Sequence, residues 1–156
     1  MMFDLDRLCM GCMGDNDGQE ICPICGYENG TANPEECLPV GFVVKDRYLV
    51  GKTINQNGAE ITYIGWDTAT DTAVNINEYF PRGVAQRNAD CTVSSDPENK
   101  YAFNEGLLEF LNIADTVSSN ELAAIVPVAA FFEENGTAYS ISPVIQSITL
   151  EDFLNR

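Results

Sequence analysis

The sequence predicts an α+β chain, in which a small cysteine-rich module precedes a larger, strand-rich region with one helix. Three observations carry this. Four of the six cysteines fall within residues 9–25. From Phe42 onward, apolar residues come in short strand-like runs interrupted by Asn-Gly turn signals. Pro97–Ser118 is the one stretch in which apolar residues recur at three- and four-residue spacing over several turns.

From the N-terminus, the cysteines form two pairs, Cys9-x2-Cys12 and Cys22-x2-Cys25, with nine residues between them. A two-residue gap lets both sulfurs of a pair point at one centre, and Gly11, Gly14 and Gly26 free the backbone for tight turns. Four thiolates fill a tetrahedral shell and leave no position for water or substrate, so the expected site is a structural zinc. Disulfides, a rubredoxin-like iron site and a redox dithiol are the alternatives. The missing export signal weighs against disulfides, and the duplicated spacing weighs against a lone redox pair. A segment of about 35 residues cannot bury enough core alone, and zinc supplies on the order of 10–16 kcal/mol in such peptides. Cys37 and Cys91 stand apart and read as small, semi-buried residues without chemistry. The expected organisation is a zinc ribbon at 1–30, a polar linker at 31–41 and a second domain at 42–156.

In that second domain, Arg47–Ile54 reads as a strand, Asn57-Gly58 as a hairpin turn and Glu60–Trp66 as the return strand. Asp71–Glu78, alternating Val74, Ile76 and Glu78, is a third strand. Residues 80–95, opened by Pro81-Arg82-Gly83, read as a loop. The helix of Pro97–Ser118 has Asp96 as its expected N-cap, Pro97 at the first helical position and Glu98 near the positive end of the dipole. Its apolar face is Phe103, Leu107, Phe110, Leu111, Ala114 and Val117. Ile125–Glu133 and Thr137–Ile145 are two further strands around the turn signal Asn135-Gly136. Thr149 followed by Asp152 marks the start of a final helix.

The formal net charge is −16, and residues 1–37 hold eight acids to one base. Such a field repels nucleic-acid phosphate and anionic membrane surfaces, so no nucleic-acid or membrane partner is expected. The absence of histidine excludes His-based catalysis and His metal ligands. No run approaches 18 apolar residues, and the first seven residues carry acids where an export signal needs bases. A cytoplasmic, reducing location is therefore expected.

Several phrases in the second domain resemble the N-terminal lobe of bacterial Hanks-type serine/threonine protein kinases, in particular the subgroup with a zinc ribbon before the kinase domain. They are Arg47-Tyr48-Leu49-Val50-Gly51-Lys52, Ile61-Thr62-Tyr63-Ile64-Gly65-Trp66-Asp67, Glu78-Tyr79-Phe80-Pro81 and Phe132-Glu133-Glu134-Asn135-Gly136-Thr137-Ala138-Tyr139. The resemblance implies a five-stranded antiparallel sheet with one αC-type helix. Kinases cradle ATP phosphates with G-x-G-x-x-G, and here those glycine positions are Asn55, Asn57 and Glu60. The position of the phosphate-pairing lysine is Asn77, and that of its αC glutamate partner is Ile113. Both members of the ion pair are gone together, so neither is left as an unpaired buried charge. No His-Arg-Asp or Asp-Phe-Gly element follows Pro143. ATP binding is therefore not expected, no catalytic or cofactor-binding residue is assigned, and the chain is expected not to be an enzyme. The expected role is a pseudokinase-like regulatory or protein-interaction module with a structural zinc; the alternative is an N-terminal fragment of an active kinase. With the C-lobe absent, apolar surface on the αC side is expected to seek a protein partner or a second copy.

Overall fold

A computed structural model describes residues 7–119 and 130–144. The start of the predicted strand at Ile125, residue 145 at the end of the last strand and the helix predicted from Thr149 lie outside these residues.

Strands β1 (Val43–Val44), β2 (Tyr48–Gln56), β3 (Glu60–Asp67), β4 (Thr72–Tyr79), β7 (Ala130–Glu134) and β8 (Thr137–Pro143) form one antiparallel sheet, ordered β1-β2-β3-β4-β8-β7. Five of these are the predicted strands. The sixth, β1, is a two-residue addition turned onto β2 through Lys45 and Asp46, both at positive φ, as a type I′ turn requires. The same geometry recurs at Asn135 (φ 61°) and Gly136 (φ 77°) between β7 and β8.

The alternation that predicted β4 places Val74, Ile76 and Glu78 on its core face, beside Tyr63 of β3 and Tyr139 and Ile141 of β8. This core also takes in Val50, Tyr48 and Phe132, with Leu38 arriving from residues 31–41. The sheet curls until its edges meet: the Lys45 amide donates to Glu134, the Lys45 ammonium lies 4.5 Å over the Phe132 ring, and Tyr48 stacks on Phe132 at 5.8 Å.

Residues 80–95 are not all loop. Ala85–Arg87 (β5) and Val93–Ser95 (β6) pair as a small two-stranded ribbon. Polar residues mask its short alternation in the sequence, and Arg87 and Val93 turn inward. The helix α1 (Lys100–Ser119) begins later than expected. Asp96 turns its carboxylate to Gln86, and Asp96–Asn99 forms a separate turn, so the Asn99 carbonyl accepts the first helical bond from Phe103. Phe103, Leu107, Phe110 and Ala114 form its inward face, as the periodicity predicts. Gly106 is required there, because a Cβ would lie 2.1 Å from the Tyr79 hydroxyl oxygen. That hydroxyl in turn donates to the Phe103 carbonyl at 2.9 Å.

The opposite face of β2–β4 carries a second apolar cluster. Here Leu8 and Met13 of the cysteine-rich module cover Ile64 and Trp66, with Met10, Leu49 and Ala73 around them. No helix among the described residues is long and apolar enough to cross a membrane.

Candidate metal centre and the adjoining sheet face

All four predicted ligands come together. The sulfurs of Cys9, Cys12, Cys22 and Cys25 lie within 4.8 Å of one another. Cys9 Sγ is 3.6 Å from Cys25 Sγ, and Cys12 Sγ is 3.9 Å from Cys22 Sγ. Four sulfurs held about 2.3 Å from one ion would stand about 3.8 Å apart, so the cage has the size of a tetrahedral zinc–thiolate shell. These separations are far too long for disulfides, and all six cysteines are free.

The two knuckles are built alike. Each closes with a backbone bond across the turn, Met13 N to Cys9 O at 2.7 Å and Gly26 N to Cys22 O at 2.9 Å. In each, the residue after the second cysteine takes positive φ: Met13 (61°) in the first, Gly26 (79°) in the second. Amides then point at sulfur. Gly11 donates to Cys9 at 3.3 Å, Gly14 to Cys12 at 3.4 Å and Ile24 to Cys22 at 3.4 Å. Such donors stabilise thiolate. The Cys25 and Ile24 amides bring the Cys22 thiol down to about 7, whereas burial pushes Cys9 up and Cys12 up to about 12. A dication would supply the charge that keeps the buried pair deprotonated. The residues fit a zinc ion in number, donor type and spacing.

The positions that the sequence resemblance pairs with the kinase nucleotide machinery lie on β2–β4 and on α1. At the β2–β3 tip, the Asn57 carboxamide oxygen accepts from the amides of Ala59 and Glu60, both at 2.8 Å. The Asn57 amide bonds the Glu60 carbonyl, and the carbonyls of Gly58 and Ala59 accept from Arg82 and Phe80. The loop's own side chain thus consumes amides that a glycine-rich loop would offer to phosphate, and the following segment ties the tip down. Unlike a type I′ turn, this tip has no residue at positive φ.

Asn77 sits between Thr62, which donates to it at 2.8 Å, and Ser140, to which it donates at 3.3 Å. A neutral ladder across β3, β4 and β8 occupies the lysine position. Lys45, Lys52 and Lys100 are all exposed, and none bonds Asn77. Ile113, at the glutamate position on α1, is 56% exposed. The other two cysteines are separate from the cage: Cys37 is buried, with burial pushing its thiol up, and Cys91 is half-buried.

One site escapes sequence reasoning. Glu78 is fully buried and accepts four hydrogen bonds: Tyr63 (2.8 Å) and Arg87 (2.5 Å) on one oxygen, Tyr139 (2.6 Å) and Arg87 (3.0 Å) on the other. Arg87 also donates to the carbonyls of Glu36 and Cys91 and lies over the Phe80 ring. Burial and the Glu78 charge push both phenols well above their ordinary range, so they remain donors. The available signal was an acid continuing the inward alternation Val74, Ile76, Glu78. The arrangement is a saturated buried ion pair that ties residues 36, 78, 87 and 91 together.

No protein-family model matches the chain, and a search of curated proteins gives no match. Among solved structures, the chain is similar to the one named "PpkA-294 apo form", a fragment of a bacterial serine/threonine kinase, with a TM-score of 0.68 and 26% identity. The match covers 78% of this chain and 43% of that one, so the chain spans less than half of its neighbour's length. This likeness overturns the expectation that the chain is not an enzyme, because the neighbour is a protein kinase fragment. The described residues form an α+β, kinase-like fold with an antiparallel sheet, a single helix and a four-cysteine cluster compatible with zinc.

Proposed function

We propose that this chain is the N-terminal lobe of a kinase-related protein and serves as a regulatory or protein-interaction module, with one structural zinc held by Cys9, Cys12, Cys22 and Cys25. It is pseudokinase-like in one physical respect: among the described residues the lysine position is a neutral Asn77, and the Ala59 and Glu60 amides at the β2–β3 tip are already bonded. The Asn57 side chain carries this reading by capping the amides of Ala59 and Glu60, with Asn77 in the lysine position as its companion. A polyphosphate would also meet the Glu60 carboxylate, a repulsive contact in a poorly screened cleft. The recognised ligands are then proteins, reached through the exposed apolar residues of α1 or through a second copy, while the charge of −16 disfavours nucleic acid.

The likeness to a kinase fragment favours a second reading, in which the chain is the N-terminal piece of an active serine/threonine kinase. A thermal-shift titration of the zinc-loaded chain with ATP and magnesium separates the two. The interaction-module reading predicts an unchanged melting temperature at millimolar nucleotide. A rise of several degrees would establish a working nucleotide site and favour the second reading.

A further inference from the structure

We propose that the ribbon is a zinc-dependent clamp on the β2–β3 hairpin, so that metal occupancy sets the conformation of the strand leading to its tip; this rests on the zinc reading above. The β2–β3 ladder is irregular between Val50 and Thr53. The backbone groups of that irregularity go elsewhere. Lys52 N–H donates to the Met10 carbonyl at 2.7 Å, within the first cysteine knuckle. The Gly51 carbonyl accepts from the Asn33 amide at 2.9 Å, and Thr53 N–H donates to the Asn33 oxygen at 2.9 Å. The bulge is completed by the ribbon and the segment after it.

The approach is close enough to need a glycine. A Cβ on Gly51 would lie 2.5 Å from the Met10 oxygen and 2.5 Å from Met13 Cε. The Gly51 φ lies outside the left-handed region, so proximity to the ribbon, and not backbone conformation, excludes a side chain there. Met13 holds a positive φ of 61°, uncommon for such a residue, and is 4% exposed in the cluster with Ile64 and Trp66. Both contact residues belong to the metal knuckle: Met10 lies between Cys9 and Cys12, and Met13 follows Cys12. A knuckle this short has no core of its own, so its shape depends on the ion. Losing the ion therefore releases the Met10 carbonyl from Lys52 and uncovers Ile64 and Trp66. Those side chains share the face of β3 and β4 that carries Thr62 and Asn77.

Trp66 is the sole tryptophan and is 6% exposed, so its quenching by acrylamide reports the clamp directly. The full chain is loaded with zinc, its metal content measured, and zinc then removed with a chelator. The clamp predicts a several-fold rise in Trp66 quenching and loss of Lys52 amide protection, while the β3–β4 amides stay protected. Zinc bound one per chain with unchanged quenching after removal would overturn the clamp and leave the zinc reading standing. Loss of protection by the whole sheet at once would also overturn it, by making the ribbon a general folding requirement. Absence of bound zinc would remove the zinc reading and the clamp with it. Gly51→Ala gives an independent arm, because it leaves all four ligands in place. It should keep one zinc per chain yet show the quenching of the stripped protein; retained zinc with wild-type quenching would refute the proposal.

Discussion

Glu78 and Arg87 show how one pair of side chains fixes the geometry of four segments. Removing one partner of a buried pair leaves an uncompensated charge, at a cost of about 3–5 kcal/mol. Arg87→Met should therefore lower the urea midpoint sharply, whereas an exposed control such as Arg82→Met should shift it little. A second ion pair gives a pH signature. Arg47 holds Asp67 down to about 2, aided by the Ala69 amide, at distances of 2.7 and 2.8 Å. Because the folded value lies below the unfolded one, the stabilisation is complete above about pH 4 and is lost as pH falls toward 2. Asp67 is buried, but the Arg47 side chain is 43% exposed, so solvent screening holds the contribution to at most about 1 kcal/mol. Urea titrations should show Asp67→Asn less stable than wild type by that amount at pH 7, with the gap closing below pH 4. A gap that kept its full size at pH 2 would exclude this assignment.

At the scale of elements, the cysteine spacing, the Asn-Gly signal at 135–136 and the periodicity of α1 each act locally, and each was legible in the sequence. The features that were not legible depend on partners distant in sequence. Asp96 is a sound N-cap by type, but Gln86 of β5 takes its carboxylate and the helix start moves to Asn99. Asn57 signals a hairpin, yet it caps its own loop because Phe80 and Arg82 draw the tip into an extended ladder. The β5–β6 ribbon exists because Asn135 and Gly136 press against it. Val93 donates to the Asn135 carbonyl, and a Cβ on Gly136 would stand 2.3 Å from the Val93 oxygen. Gly136→Ala thus combines an unfavourable φ of 77° with a backbone collision and should cost at least about 1–3 kcal/mol by chemical denaturation. Gly58→Ala, with open space around it and no positive φ, should be nearly neutral.

For the whole molecule, the sheet has two covered faces with different guardians. The main core and α1 close one, and the cysteine module closes part of the other. Apolar surface also stays open on the outer side of α1, where Leu108 and Ile113 are 61% and 56% exposed beside Glu105 and Glu109. Light scattering across a concentration series should show a mass rising above 17.1 kDa, and Leu108→Lys should return it to the monomer. A constant monomer mass would place the protein contacts on another surface. The ribbon's seat on the sheet was invisible in the sequence because Gly51, Leu49 and Trp66 carry no local mark of an opposing surface. The most direct measurement is elemental analysis of the purified chain with a count of its reactive thiols. The account predicts one zinc per chain, with Cys9, Cys12, Cys22 and Cys25 protected until a chelator is added. A metal-free chain that keeps Trp66 shielded and all four thiols reactive would contradict it.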